Sequence, residues 1–448
     1  MNRATADAKK SPRKTVIKEE EVSRYLEKGR DFIDDAGIIS ALGSSGRQDA
    51  GRIRAIIDKA LSVETLTTAE AAALINVRDE DVWFEIFDAA ARIKRTVYDN
   101  RVVTFAPLYC SNLCVNDCVY CGFRSGNRVI QRRMLDMDEI KKETEILAGT
   151  LGHKRIVAVY GESPLTGADY IADSMRAIYG VKVKVRRGTG EIRRVNVNAA
   201  PMCVSDFEKI RAAGIGTFQV FQETYNHGVY ERMHPAGTVK SNFGWRLYAL
   251  HRAMEAGIED VAIGALFGLY DWRFEVLGMV CHARDLEKKF GIGPHTVSVP
   301  RLEPAANTPF AMESGHRVSD SDFKKLIAVL RLSIPYAGLI VTCRERPEMI
   351  RDVIPMCTQR DASSNIGIGG YSESMENQQE KAITRTIIRP CCQGSASQLK
   401  LLLICVPSCW ISATTASPVA IMTSTPGHQA QNPAKKPINL PNALVVQT

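Results

Sequence analysis

The spacing of hydrophobic positions along the chain changes near residue 100. Before that point apolar side chains recur every three or four positions, which predicts amphipathic helices. This spacing is present in "EEEVSRYLEKGRDFIDD", "SGRQDAGRIRAIIDKALS" and "TTAEAAALINVRDEDVWFEIFDAAARIKRTVY". In "LTTAEAAALI" a threonine precedes the apolar run, as expected of a helix N-cap. We therefore predict a helical extension over residues 19–100, preceded by a flexible tail over residues 1–18.

From residue 101 short β-like runs alternate with amphipathic helices. The runs are "VVTFAPLY", "RIVAVYG", "RRVNVNAA", "TFQVFQE", "DVAIGALFG", "HTVSVPRL", "GLIVTC" and "CTQRDASSNIGIGG". Several helical stretches end in glycine, the usual C-terminal cap, as at Gly214, Gly257 and Gly291. Eight strands alternating with helices predict an α/β fold, a (β/α)8 barrel of the TIM type, over residues 101–375. Its chemistry is expected at the C-terminal ends of the strands.

The end of the chain departs from this pattern. Residues 381–448 contain no Asp or Glu, are rich in Ser, Thr, Pro and Ala, and show no helical periodicity. The composition predicts a disordered tail over residues 376–448. A functional tail and an out-of-frame end of the gene are both open explanations.

Composition excludes several classes of protein. Hydrophobic residues make up 45% of the chain and charged residues 24%, which are ordinary values for a globular protein. The net charge of +8 is scattered, so nothing supports nucleic-acid binding. No apolar run approaches the roughly 18–20 residues that cross a bilayer, and the N-terminus lacks the apolar core of a signal peptide. We expect a protein of the cytoplasm or an organelle matrix, not a secreted or membrane protein. In such reducing compartments clustered cysteines are more often metal ligands than disulfides.

The stretch "YCSNLCVNDCVYCGFR" follows the first predicted barrel strand. Its Cys114, Cys118 and Cys121 form C-x3-C-x2-C. Three thiolates do not complete the tetrahedral ligand set of one metal, but a cubane iron–sulfur cluster held this way keeps one iron open. Cys110 could add a fourth ligand for zinc. That spacing is unusual for zinc, and Cys110 is expected to be a buried strand residue.

The loop resembles the signature of the radical S-adenosylmethionine (SAM) enzymes. Tyr120 precedes the third cysteine, and "YGESP" follows the second strand, as the "GGE"-type motif does in that superfamily. The resemblance implies a [4Fe–4S] cluster on the three cysteines and SAM on its open iron. It also implies that Tyr120 lies near the adenine, and that Gly161 and Glu162 bind the SAM amino group. Asn198 in "VNVN" is predicted to face inward, as a SAM contact or a core hydrogen bond.

Motifs at six strand ends resemble the HydG family more narrowly. They are "APLYCSNLCVNDCVYCGFR", "VNVNAAPM", "GTFQVFQETYNHGVYERMHP", "AMEAGIEDVAIGALFGLYDWRFEVL", "FGIGPHTVSVPRLEPA" and "IPYAGLIVTCRERPEM". This resemblance implies cleavage of the Cα–Cβ bond of L-tyrosine to p-cresol and dehydroglycine. Dehydroglycine would then yield the carbon monoxide and cyanide ligands of [FeFe]-hydrogenase. The implied partners are a reduced ferredoxin- or flavodoxin-like electron donor and the other hydrogenase maturation proteins.

A tyrosine zwitterion needs a cation for its carboxylate and acceptors for its amine. Arginine suits the carboxylate because its planar fork makes bidentate hydrogen bonds. The strand-end candidates for substrate binding are Gln222, Tyr225, Ser298, Arg301 and Arg344. The candidates for catalysis are Glu223, His295 and Arg344. For each arginine a structural ion pair is the alternative, and His295 could equally be a structural histidine.

The tail does not continue the resemblance. The HydG family holds a second cluster on a C-x2-C pair and one more distant cysteine. Here the tail carries Cys391 and Cys392 side by side, then Cys405 and Cys409. No auxiliary ligands are assigned, and a second cluster is doubtful. Two alternatives therefore stay open: the thiazole-pathway tyrosine lyase, which makes the same first cut, and an inactive iron–sulfur-binding remnant.

Overall fold

A helical extension precedes the barrel along the chain, as the hydrophobic pattern predicts. The computed structural model describes residues 16–43, 49–305, 307–362 and 367–374. The helices of the extension are α1 (Glu20–Ser23), α2 (Asp35–Gly43), α3 (Ala50–Leu61), α4 (Thr68–Ile75) and α5 (Glu80–Tyr98). Thr67 caps α4 by accepting from the Glu70 amide, while the Glu70 carboxylate accepts from the Thr67 amide.

One predicted helix of the extension is wrong over most of its length. The helical spacing of residues 19–35 continues only to Ser23, where α1 ends. Lys28 and Gly29 have positive φ angles of 53° and 76°, and the Glu27 and Arg30 backbones bond to each other across this turn. A left-handed pair of residues cannot continue a right-handed helix, so the chain turns before α2 begins.

Eight parallel strands close into a barrel, which confirms the predicted fold class. In spatial order they are β1 (Val103–Ser111), β2 (Arg155–Tyr160), β5 (Arg194–Asn198), β6 (Phe218–Gln219), β7 (Val261–Gly264), β8 (Thr296–Ser298), β9 (Gly338–Val341) and β10 (Gln359–Asp361). Strand β10 pairs with β1 and closes the ring. An antiparallel hairpin of β3 (Val183–Lys184) and β4 (Thr189–Gly190) precedes β5, and the sequence did not predict it.

Helices connect the strands and cover the barrel. They are α6 (Met137–Glu145), α7 (Ala168–Gly180), α8 (Val204–Ala212), α9 (His227–Met233), α10 (Phe243–Leu247), α11 (Ala249–Glu255), α12 (Trp272–Phe290), α13 (Phe310–Glu313), α14 (Asp320–Ser333) and α15 (Pro347–Val353). The predicted glycine caps Gly214, Gly257 and Gly291 all have positive φ angles. No helix in the described ranges is both long enough and apolar enough to cross a membrane.

The barrel interior holds an apolar cluster that is separate from the main hydrophobic core. Phe105, Val157 and Ile340 come from β1, β2 and β9, and they form an apolar cluster of their own. Since β2 and β9 are not neighbours, these side chains meet inside the barrel. Asn198 is in register with Val159, which packs on that cluster, so Asn198 faces the interior as predicted.

The predicted tail, residues 376–448, lies outside the described residues, and so do its four cysteines, Cys391, Cys392, Cys405 and Cys409.

Candidate active site

The cysteine loop follows β1 at the C-terminal end of the barrel, and one arginine braces it from within. The Arg132 guanidinium donates to four backbone carbonyls of the same loop, at 2.5 to 3.2 Å. Those carbonyls belong to Asn112, Phe123, Arg124 and Asn127. These four hydrogen bonds tie the two ends of the loop together.

The three candidate ligands lie along this braced loop. Cys118 is buried, whereas Cys114 and Cys121 are half-buried. Burial raises the pKa of Cys118 to about 12, against the opposing charge of Lys240. Within the described residues no three His, Cys, Asp or Glu side chains converge on a single-ion site. The three thiols lie close enough to interact electrostatically, and in a cluster each thiolate would take a different iron.

Cys110 is a buried strand residue, as predicted, and its burial in the core argues against the four-cysteine zinc alternative. Its side chain is fully buried in the main hydrophobic core, and its thiol donates to the Leu108 carbonyl at 3.7 Å.

The second strand meets the cysteine loop at Gly161. The Gly161 amide donates to Ser111 O at 2.9 Å, and the Val115 amide donates to Glu162 O at 2.8 Å. A Cβ on Gly161 would lie only 2.2 Å from Leu113 O, which is a backbone atom that cannot move aside cheaply. Only glycine therefore permits this close approach.

The Glu162 carboxylate is buried beside the cysteine loop and is only half satisfied. Its Oε2 accepts a 2.5 Å hydrogen bond from Asn116 Nδ2, while its Oε1 has no partner among the described residues. Burial raises the pKa of Glu162, against the opposing charges of Arg246 and Lys240. A buried carboxylate oxygen without a donor is costly, so an ammonium group would fit here. The residues present thus fit a cluster with SAM.

Glu223, after β6, forms a second carboxylate centre. Its Oε1 accepts from Lys240 Nζ at 2.7 Å and from Arg246 Nη2 at 3.1 Å. Burial alone would raise the pKa of Glu223, but these two cations hold it below the ordinary value. Among the described residues, none donates to Oε2. Glu223 has a φ of 74°, rare for a residue with a side chain and typical of strained functional positions.

Tyr120 packs behind the cysteine loop. Its ring belongs to a small apolar cluster with Cys118, and its hydroxyl lies 2.8 Å from His234 Nε2. His234 Nδ1 lies 2.8 Å from the Tyr230 carbonyl, so Nδ1 carries the proton and Nε2 accepts from Tyr120. Burial lowers the pKa of His234 to about 2, which keeps the imidazole neutral.

Two substrate candidates lie at the strand ends in buried surroundings. Ser298 is the last residue of β8 and is in register with Ile340 of the interior cluster. The side chain of Gln222 is buried, and neither its Nε2 nor its Oε1 has a partner in the described structure. Like Glu162, it keeps hydrogen-bonding capacity that the described protein does not use.

The two arginine candidates differ. Arg344 follows β9 and makes no ion pair with any described residue; its Nε lies 3.4 Å from Thr342 Oγ1. Arg301 bonds through its guanidinium to both Glu345 and Asp320. The predicted substrate-carboxylate role of Arg301 stays a prediction, and these ion pairs are the structural alternative that the sequence left open.

Two further candidates lie away from the site. His295 precedes β8 and its Nδ1 lies 3.1 Å from Asp260, which precedes β7, so it sits at the N-terminal end of the barrel. Tyr225 is fully buried under α12, with its hydroxyl 2.9 Å from His282 Nδ1. His295 therefore lies at the start of its strand instead of its C-terminal end, and the Tyr225 side chain packs into the helix layer.

The sequence analysis missed the residues that connect the parts of the site. Asn116 lies between two of the candidate cysteines, and that position could have identified it as a candidate site residue. Lys240 and Arg246 lie 17 and 23 residues beyond Glu223, with no periodic relation to it. Only the folded chain brings these cations to Glu223.

Comparisons with known proteins agree with this geometry. Residues 108–275 match the Radical SAM superfamily, and residues 298–383 match the Biotin and Thiamin Synthesis associated domain. A crystal structure of HydG, a maturase of the [FeFe]-hydrogenase, is 46% identical with a TM-score of 0.73, covering 77% of this chain and 75% of that one. HydG from Carboxydothermus hydrogenoformans is 35% identical with a TM-score of 0.68, covering 87% and 83%. The 2-iminoacetate synthase of Salmonella typhimurium is 31% identical over 330 residues, 72% of this chain and 82% of the relative.

Proposed function

Because the chain belongs to the HydG family of radical SAM enzymes, we propose that it cleaves the Cα–Cβ bond of L-tyrosine to p-cresol and dehydroglycine. Dehydroglycine is in turn the proposed source of carbon monoxide and cyanide for [FeFe]-hydrogenase. The observation that carries the proposal is the unpaired, buried Oε1 of Glu162 beside a three-cysteine loop. It provides an acceptor for an ammonium group where the superfamily binds SAM.

The cofactor residues follow from this placement. Cys114, Cys118 and Cys121 are the proposed ligands of a [4Fe–4S] cluster, and Gly161 and Glu162 are the proposed partners of the SAM amino group. Bound together, the cluster and SAM supply reductive cleavage of the sulfonium and a 5′-deoxyadenosyl radical. Further SAM contacts are proposed at two residues, Tyr120 for the adenine and Asn198 from the barrel interior.

Arg344 is the proposed partner of the tyrosine carboxylate. It is a cation at the C-terminal end of β9 that makes no direct ion pair with any described residue, although the Asp361 carboxylate lies close enough to interact with its charge. Gln222 and Ser298 are proposed to bind the remaining polar groups of tyrosine. Glu223 is the proposed catalytic carboxylate. Lys240 and Arg246 keep it ionised and fix Oε1, so Oε2 remains to accept a hydrogen bond from a bound molecule.

The test is a turnover assay with reconstituted, reduced protein, SAM and L-tyrosine. p-Cresol and 5′-deoxyadenosine are the expected products. Arg344→Gln should raise the KM for tyrosine about 10- to 100-fold, because a charged hydrogen bond contributes about 1.5–3 kcal/mol. Arg346→Gln is the matched control, since Arg346 is an exposed neighbour paired with Asp320. If the wild type forms neither product, the inactive-remnant alternative replaces this proposal.

A second candidate is a tyrosine lyase of thiazole synthesis. The 31% identity to 2-iminoacetate synthase favours it, and both candidates share the first bond cleavage. Formation of carbon monoxide and cyanide from tyrosine would select the hydrogenase role. Formation of p-cresol without either would select the thiazole role.

The remaining expectations stand as proposals. They are a ferredoxin- or flavodoxin-like electron donor, maturation partners, a reducing compartment, and domain boundaries near residues 18, 100 and 375. A second cluster cannot be placed, because the tail cysteines lie outside the described residues.

A further inference from the structure

Asn116 is buried between Cys114 and Cys118, and its side chain connects two other segments of the site. Only 1% of its surface is exposed. Its Nδ2 donates to Glu162 Oε2 at 2.5 Å, and its Oδ1 accepts from the Lys240 backbone amide at 2.9 Å. One side chain thus links the cysteine loop, the end of β2 and the segment whose lysine holds Glu223.

The orientation of the Asn116 carboxamide is determined by its partners. A backbone amide can only donate, so the atom facing Lys240 N must be the oxygen. The NH2 group must then face Glu162 and occupy its Oε2. One oxygen of the Glu162 carboxylate is thereby used, and Oε1 is left as its unpaired acceptor.

The shape of the loop does not depend on this side chain alone. The Asn116 backbone carbonyl accepts from the Ser125 amide at 2.7 Å, and the Val115 amide bonds to Glu162 O. Arg132 braces the same loop from its other side. The side chain therefore acts on the direction of the Glu162 carboxylate more than on the path of the backbone.

We propose that Asn116 is a positioning residue for SAM: it holds the Glu162 carboxylate so that its free oxygen accepts from the SAM amino group. The inference rests on the proposed function for the presence of cluster and SAM, but not on tyrosine as the substrate. It makes one side chain between the first two cysteines part of SAM recognition.

The discriminating variant is Asn116→Asp. It keeps an oxygen for the Lys240 amide but replaces the donor at Glu162 with a second carboxylate oxygen. We expect the Kd for SAM to rise about 10- to 100-fold, since hydrogen bonds to charged groups are among the stronger ones. The KM for SAM should rise in parallel, with kcat at saturating SAM within about threefold and iron content unchanged.

Binding is measured without tyrosine, by equilibrium binding and by the SAM-dependent change in the EPR spectrum of the reduced cluster. Asp117→Asn is the matched control, because Asp117 is the next residue and bonds to the Gly126 amide and Arg124 but not to Glu162. Its SAM affinity should stay within about twofold of the wild type. Asn116→Ala removes the donor without adding charge, so it should weaken binding in the same direction.

Three results separate the possibilities. Wild-type SAM affinity in both Asn116 variants would overturn the inference. Loss of iron in both would also overturn it, because Asn116 would then shape the cluster loop instead of the Glu162 carboxylate. If the wild type binds SAM but produces no p-cresol, the tyrosine proposal fails while the role of Asn116 stands.

Discussion

The two ends of the barrel treat polar side chains in opposite ways. At the N-terminal end Asp260 is flanked by Arg194 and His295, so its charge has partners within the protein. At the C-terminal end Glu162 keeps one oxygen unpaired, and Arg344 has no ion-pair partner among the described residues. A buried carboxylate oxygen without a donor lowers stability, so the position of Glu162 Oε1 beside the cysteine loop indicates where a ligand binds.

The largest effect is expected at the C-terminal end of the barrel, where three cysteines are proposed to bind the [4Fe–4S] cluster. Cys118→Ser should abolish cluster loading and give no 5′-deoxyadenosine above background, measured by iron content and product analysis. Cys110→Ala is the control, because Cys110 belongs to the core. It should lose some stability but keep its iron. Full iron content in Cys118→Ser would remove the assignment of this loop as the cluster site.

The second largest effect is expected at Gly161, where the chain after β2 approaches the cysteine loop closely. In Gly161→Ala the new methyl would meet Leu113 O, so the free energy of unfolding should fall by about 1–3 kcal/mol, with weaker SAM binding. Gly180→Ala is the control, since a Cβ there has nothing within 4 Å, and its change should stay within about 0.5 kcal/mol. Denaturant unfolding measures both; equal stabilities would mean that the two segments can separate freely.

A smaller effect concerns pH. Burial raises the pKa of Glu275 to about 8, against hydrogen bonds from Thr224 and Tyr225 that lower it. The folded protein therefore keeps this proton between about pH 4.5 and 8, where the unfolded chain releases it, so rising pH reduces stability across that range. Glu275→Gln should flatten the pH dependence by at most about 1.4 kcal/mol per pH unit. Unfolding of both proteins at several pH values tests this; parallel curves would contradict a proton on Glu275.

The smallest effect is expected at the N-terminal end. His295→Gln should change kcat and the KM for tyrosine by less than about threefold, because His295 lies beside Asp260 and away from the cysteine loop. The measurement is the p-cresol assay used for Arg344→Gln. A loss of activity comparable to that of Arg344→Gln would abolish the functional distinction between the two ends.

Local patterns predicted most of the fold because each strand carries its own signal. Seven of the eight barrel strands lie within the predicted runs, β1 extends two residues beyond its run, and Thr67 caps its helix as expected. The helix predicted over residues 19–35 failed because periodicity is not sufficient: the helix ends at Ser23, and two left-handed residues at Lys28 and Gly29 turn the chain before the next helix. The β3–β4 hairpin was missed because two-residue strands carry too little pattern to read.

The sequence placed some candidate residues better than others. Residues at the end of a strand were placed well, whereas the direction of a side chain was not predicted. Gly161 and Glu162 lie beside the cysteine loop because parallel strands place successive C-terminal ends together. His295 was misplaced because it begins its strand instead of ending it. The direction of Tyr225 depends on packing against α12, which no local pattern encodes.

The sequence by itself determined the barrel, its family and the loop that carries Cys114, Cys118 and Cys121, because these depend on short-range spacing. Only the tertiary structure decided which charges are already neutralised. Arg301 proved to be paired and Arg344 unpaired, and Asn116, Lys240 and Arg246 proved to hold the two carboxylates. These contacts join segments that are distant along the chain, and only folding brings those segments together.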